Sequence, residues 1–289
     1  MRKTIILLAV GLFTAVAAVA SGCSLAWAEN CPDNPDALGT SRVLAIDPRE
    51  YPKVGAMDGA VALPLSDKEV VLTFEDGPLP RYSNQILDIL SAQCVKATFF
   101  LVGEMARAHP STVRRIFAEG HTIGTHSEDH PRRFGKLSPE LVEWEIDKGI
   151  LDVGAALGDH KRVAPFFRVP GLARSEVIES ELAARVLVDF GSDTVADDWH
   201  HRISSKKIIA LAMKRLEARG KGILLLHDIH PATVAALPGL LKDLKQRGFI
   251  SCRWCQPRWI SSSAVVKGRT RHCAYIKSRT LVGAGRQAH

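Results

Sequence analysis

Cysteine is scarce: six residues in 289, too few for the dense disulfide framework that holds small exported domains together. No segment repeats at a period of about 20–50 residues, which argues against solenoids and propellers. Acidic residues are absent from Ser251 to the C-terminus, a stretch that carries eight Lys and Arg. That absence accounts for the net charge of +7, because without those eight the chain has 30 basic residues against 31 acidic ones. The basicity belongs to the tail, and no basic groove for nucleic acid is indicated. The most apolar run, Ile5 to Ala20, is short for a full membrane span.

What remains is ordinary globular material, 46% hydrophobic and 24% charged, enough for one large domain or two small ones. The first residues read as an export signal. Arg2 and Lys3 precede the apolar run, and Ala26-Trp27-Ala28 is a small-x-small site, so residues 1–28 are expected to be cut off after Ala28. Two rivals use the same segment: a lipid anchor at Cys23, within Ala20-Ser21-Gly22-Cys23, and a retained anchor helix. All three send the rest of the chain to a periplasmic or extracellular location. Cleavage after Ala28 leaves five cysteines, an odd number that strands at least one thiol.

Residues 29–67 are rich in Pro, Gly and Asp, with one short apolar stretch at Val43–Ile46, and read as a loop-rich lead-in wrapped on the domain. From Glu69 strand and helix patterns alternate. Strands are expected at Val70–Phe74, Ala97–Val102, His121–Thr125, Phe166–Arg168, Val188–Ser192 and Gly222–Leu226. Helices are expected at Asn84–Ala92, at Ser111–Ala118, from Ser138, from Ser175, at Ser204–Arg219 and at Ala232–Gln246. This alternation implies parallel βα units. Six or seven of them over residues 68–250 imply an α/β fold, a distorted (β/α)7-type barrel with its chemistry at the C-terminal strand ends.

The chemically unusual residues fall at those ends. Glu75 and Asp76 follow the first strand in LTFEDGPLP, and His126 and His130 follow the third in GTHSEDHP. Arg168 ends the fourth in FFRVPGL; Asp197, Asp198 and Trp199 follow the fifth in TVADDWH; His227 ends the sixth in GILLLHDIH. A carboxylate with two imidazoles is a usual catalytic zinc set with one position left open. Two adjacent carboxylates can then divide the work of hydrolysis: one neutralised by the cation, the other free as a base. An imidazolium beside a buried carboxylate supplies the proton for the leaving group. Blander readings stand beside these: a surface histidine pair, a structural ion pair for Arg168, a core position for Trp199. Asp197 reads as a solvated or strand-end carboxylate, and His121, His200, His201 and His230 as non-catalytic.

The order TF-carboxylate-D-G-P, H-S-x-x-H-P, R-x-P, D-D-W and L-x-H resembles the polysaccharide deacetylase family, carbohydrate esterase family 4 with its NodB homology domain, over about Lys68–Ile250. Any one motif is weak; five in order, each behind an expected strand, are specific. The resemblance implies that Asp76, His126 and His130 hold one divalent ion, zinc, with cobalt or nickel as substitutes. It implies that Glu75 is the general base, oriented by Arg168, and that Asp198 holds the catalytic His227. Pro170, Gly171, Trp199 and Leu225 would form the substrate pocket. The implied reaction removes N-acetyl groups from N-acetylglucosamine-containing polysaccharide or oligosaccharide, either chitooligosaccharide or peptidoglycan. The expected protein is a monomer with no nucleic-acid partner and no membrane span when mature. O-acetyl removal from xylan would use the same groups. The rival from another class is a catalytically impaired carbohydrate-binding pseudoenzyme.

Three departures from the family pattern bear on these expectations. Glu75 stands where the usual base is Asp. Gly171 follows the third-motif Pro where an aromatic is usual, so the oxyanion-holding backbone N–H survives but the pocket wall shrinks. Past QRGF the family continues with a last hydrophobic strand, whereas residues 251–289 are rich in Arg, Ser and Cys. They read as an atypical basic tail, disordered or frameshifted, that packs poorly. Cys252-x-x-Cys255 with His272 and Cys273 is a minor zinc-knuckle reading.

Overall fold

The structure is a computed structural model that describes residues 31–32, 34–58, 62–255 and 273–275. The lead-in carries β1 (Thr40–Ala45) and β2 (Lys53–Val54). There follow β3 (Glu69–Glu75), α1 (Pro80–Ala92), β4 (Thr98–Leu101), α2 (Gly103–Ala108), α3 (Pro110–Ala118) and β5 (Thr122–Thr125). Next come α4 (Pro139–Leu157), β6 (Phe166–Phe167), α5 (Glu176–Ala184), β7 (Val188–Phe190), β8 (Thr194–Val195) and α6 (Ser205–Arg219). The last elements are β9 (Gly222–His227), α7 (Pro231–Gln246), β10 (Ile250–Cys255) and β11 (Cys273–Tyr275).

Strands β3 to β7 pair in parallel in chain order, and β9 then β8 continue from the other edge of β3. The seven form a βα barrel interrupted between β7 and β8, where no ladder joins the described residues. The distorted (β/α)7 architecture read from the sequence is the one observed. No helix among the described residues is long and apolar enough to cross a membrane.

Period-two patterning along the strands builds a core on each of their two faces. On β3, Val70, Leu72 and Phe74 pack outward against helix residues such as Leu87, Ile116, Leu216 and Leu240. Val71 points the other way, into a cluster with Phe100, Phe166, Phe190 and Ile223 that fills the barrel. Thr73 and Glu75 share that inner face. On β9 the same alternation sends Leu224 and Leu226 outward, while Ile223, Leu225 and His227 line the interior. The β3–β9 register pairs Glu75 with His227. Two ionisable side chains are thereby set side by side at the C-terminal rim, as the barrel rule expects.

Two expectations are corrected. The lead-in is more than loop, since β1 pairs in parallel with β10. The tail boundary at 250/251 falls inside β10, which is a genuine strand. It runs beside β1 and also along Glu69–Val71 of β3. Arg and Ser obscured it, but Cys252 and Trp254 alternate and both point into the barrel at 0% exposure. Cys252 is a free thiol turned into the barrel interior, and burial pushes its pKa up to about 12. His272 lies outside the described residues, as do the export signal and most of the tail. Cys31 and Cys94 form a disulfide that ties the lead-in to the end of α1.

Trp254→Ala is therefore expected to cost about 3–5 kcal/mol. For a domain of this size that is a fall of roughly 10 °C in Tm. Ending the chain after Ile250 should cost more, because β1 also loses its partner. A truncated protein that melts within about 2 °C of the full chain would show that β10 contributes nothing.

Candidate active site

Asp76 leaves β3 in the left-handed region, with φ 74, and Gly77-Pro78 follows through a cis bond. Gly77 is required at this turn, because a Cβ there would lie 2.1 Å from Asp228 Oδ2. The Gly77 N–H donates to Asp228 Oδ1 at 3.1 Å, and Ser83 Oγ of α1 donates to the other oxygen of Asp228. So fixed, Asp76 Oδ1 lies 3.4 Å from both His126 Nε2 and His130 Nε2.

The histidines are held as firmly. His126 Nδ1 lies 2.7 Å from the Arg168 carbonyl oxygen. A carbonyl only accepts, so Nδ1 carries the proton and Nε2 presents its lone pair. The loop to His130 is strained, with Ser127 at φ 66 and His130 at φ 54. Glu145 of α4 anchors it, accepting the N–H groups of Glu128 and Asp129 at 2.9 and 3.2 Å. Burial, with Asp129 beside it, pushes the Glu145 carboxyl up to about 7. Burial and the neighbouring His126 lower the pKa of His130, which favours the neutral ring.

Asp76 Oδ1 and His126 Nε2 are buried with no hydrogen-bond partner among the described residues. Inward-facing electron-pair donors without a partner are what a cation site requires. Their spacing fits one, since tetrahedral ligands about 2.0–2.1 Å from a zinc ion stand about 3.3 Å apart. Asp76, His126 and His130 can therefore hold a divalent ion.

Beside this set lies a second one. Arg168 is wholly buried, its guanidinium 4.1 Å from the Phe100 ring centroid. Its Nε and Nη2 donate to the carbonyls of Phe190 and Gly191 at 2.9 and 3.0 Å. Its Nη1 donates to Thr73 Oγ1 at 3.0 Å and to Glu75 Oε2 at 3.2 Å. Burial resists ionisation of Glu75, but the bond to His227 and the charges of Arg168 and His227 outweigh it and hold the carboxyl far below its usual range.

The other oxygen, Glu75 Oε1, is 3.2 Å from His227 Nε2. Asp198 grips His227 from behind, with Oδ1 2.8 Å from Nδ1. Asp198 Oδ2 accepts the His227 backbone N–H at 2.8 Å and Thr233 Oγ1 at 2.6 Å. Burial works against charge on His227, yet the bonds to Asp198 and Glu75 prevail and raise its pKa well above the ordinary value. The surroundings thus favour a carboxylate and an imidazolium facing each other beside the metal donors.

The remaining expected residues surround this pair. Leu225 is buried two residues before His227, and Trp199 is 43% exposed with its ring 5.5 Å from that of His227. Pro170 is buried, and Gly171 sits at φ 61, a conformation that favours glycine over an aromatic residue. Asp197, partly exposed just past the end of β8, is an ion-pair partner: Arg215 binds both its oxygens, at 2.7 and 2.8 Å. His121 is a core residue whose Nδ1 accepts the Ala97 N–H at 3.0 Å, and burial pushes its pKa down to about 4. The sequence reading missed Asp228, Thr233 and Glu145. Glu145 left a signal: it sits between Val142, Ile146 and Gly149 on the buried stripe of α4, where a carboxylate needs a task.

A family model described as polysaccharide deacetylase matches residues 62–186. The chain is 34% identical over 194 residues to a peptidoglycan-N-acetylglucosamine deacetylase of Bacillus cereus, covering 63% of this chain and 67% of that one. It is 34% identical over 188 residues to one of Listeria monocytogenes, covering 64% of this chain but 37% of the relative. The chain thus spans little more than a third of the Listeria protein. The solved peptidoglycan deacetylase of Bdellovibrio bacteriovorus superposes with a TM-score of 0.66 at 29% identity, covering 75% of this chain and 59% of that one. With a barrel of the expected type and its motifs at one rim, the chain belongs to the polysaccharide deacetylase family.

Proposed function

We propose that the protein is a metal-dependent hydrolase that removes N-acetyl groups from N-acetylglucosamine-containing glycan, with peptidoglycan first and chitooligosaccharide second. The observation that carries this reading is the 3.2 Å approach of Glu75 Oε1 to His227 Nε2 beside the donor trio Asp76, His126 and His130. A base, an acid and a cation site at one rim are the three needs of amide hydrolysis. That convergence favours turnover over the binding-only rival. Zinc suits one carboxylate with two imidazoles.

A divalent ion on Asp76, His126 and His130 would polarise the acetyl carbonyl and acidify water. Glu75 takes the proton from the attacking water, its carboxylate aimed by Arg168. The Gly171 N–H offers a donor to the carbonyl oxygen as charge builds there. His227 gives its Nε2 proton to the departing amine nitrogen, and Asp198 stabilises the imidazolium until then. Acetate and a free amino sugar result. Leu225 offers an apolar floor for the acetyl methyl, and the exposed face of Trp199 offers a platform for a sugar ring. All of these groups come from one chain, so a monomer suffices. Export is supported by the Cys31–Cys94 disulfide, which belongs to an oxidising compartment.

The test uses metal-depleted protein and acetylated chitopentaose or peptidoglycan. Acetate release should be abolished by depletion and restored by one equivalent of Zn²⁺ or Co²⁺, and His126→Ala should lose stoichiometric metal binding. Full turnover by the metal-free protein, or unchanged metal affinity in His126→Ala, would sink the proposal.

A further inference from the structure

Asp76 turns its two oxygens toward different neighbours. Oδ1 faces His126 and His130 at 3.4 Å each, while Oδ2 lies 4.0 Å from His227 Nε2 on the other side. Glu75 Oε1 lies 3.2 Å from the same nitrogen. Asp198 engages His227 Nδ1, which leaves Nε2 as the ring's outward nitrogen, able to ligate a cation once its proton is given up to solvent. Glu75, Asp76 and His227 thus offer three ligand atoms within 4.8 Å of one another, in a set that abuts the first and shares Asp76 with it. The Glu75–His227 separation is close to the roughly 3.3 Å expected between tetrahedral ligands of zinc. A carboxylate bridging two sites is how paired metal centres about 3.5–4 Å apart are built.

We propose that Glu75, Asp76 and His227 bind a second divalent cation, bridged by Asp76 to the first, and that this second ion inhibits the protein by occupying its base and its acid. The inference rests on the catalytic roles given above to those residues. Three features make the second site the weaker. Arg168 is held 3.2 Å from Glu75 Oε2, the first ion adds like charge at close range, and the cation must displace the proton that Asp198 and Glu75 hold on His227. One feature departs from the usual family pattern. The extra methylene of Glu75 carries its carboxylate toward His227, and an Asp in its place would stop about 1.5 Å short.

The experiment titrates the metal-depleted full chain with Co²⁺, followed by calorimetry and by the cobalt absorption bands. Acetate release is measured in parallel against rising Zn²⁺. Two binding events are expected, the second at least about tenfold weaker than the first. The second should vanish in Glu75→Gln and in His227→Ala while the first persists in both. Acetate release should rise to one equivalent and then fall as the second site fills. In Glu75→Asp the inhibitory midpoint should move to about tenfold higher Zn²⁺. A single binding event, or a second event that survives in both variants, overturns the inference and leaves the hydrolase reading standing. Absence of the first event would overturn that reading instead.

Discussion

Replacing Glu75 with Gln is expected to lower kcat for deacetylation by about 10²–10⁴-fold while the protein stays folded and keeps its first metal ion. The amide is nearly isosteric, and its oxygen can still accept from Arg168 Nη1, which now binds Glu75 at 3.2 Å. What is lost is the capacity to take a proton. Truncation to Ala would confuse the result, because it would strand the buried Arg168 charge at a cost of about 3–5 kcal/mol. Glu75→Asp is the informative companion. In the structure the Glu75 carboxylate already touches His227 Nε2 at 3.2 Å, so base and acid close on each other where a substrate must enter. Shortening the side chain reopens that gap and leaves the intrinsic basicity of the carboxylate nearly unchanged. Activity in Glu75→Asp should hold or rise. Metal content and KM are to be measured alongside, so that a fall in kcat is not mistaken for a lost ligand. A Gln variant as fast as wild type would remove Glu75 from the role of base. Activity confined to Glu75→Asp would mean that the natural chain is the pseudoenzyme.

The barrel was legible because its strands are apolar on both faces and its turns are marked by Gly, Pro and charge. Glu75, Asp76, His126, His130, Arg168, Asp198 and His227 were legible because polar residues at buried strand ends contradict local patterning. The same logic explains the misses. β10 reads ISCRWC, and Arg253 and Ser251 hide the alternation that buries Cys252 and Trp254. β2 and β8 are two residues each, too short to show any period. Asp228 looked like a neighbour of His227. Its task, bracing Gly77 across 151 residues of chain, is a tertiary relation that no local pattern records. Asp197 and Asp198 are adjacent and alike in type. Only the fold decides that one serves Arg215 and the other His227.

Asp198→Asn should also cost about 10²–10⁴-fold in kcat, and it should move the alkaline limb of the pH–rate profile to lower pH. The reason lies in what holds the proton on His227. Burial disfavours the imidazolium, and the Asp198 and Glu75 carboxylates are what raise its pKa well above the ordinary value. Asn keeps the shape and an acceptor for Thr233 but removes one of those charges. The proton then leaves at lower pH, and the acid needed by the departing amine is missing over a wider range. Stability carries the same signature with a definite sign. A pKa raised by folding contributes stability that is fully present below the unfolded imidazole value of about 6.5 and is lost as pH rises through the folded value. Metal-depleted Asp198→Asn should therefore melt well below wild type at pH 6, and the gap should narrow as pH rises past the folded-state pKa of wild-type His227. Thermal unfolding of both proteins across that range reads the difference directly. If the gap stayed constant with pH and the alkaline limb did not move, Asp198 would be a packing residue and His227 would not be the proton donor.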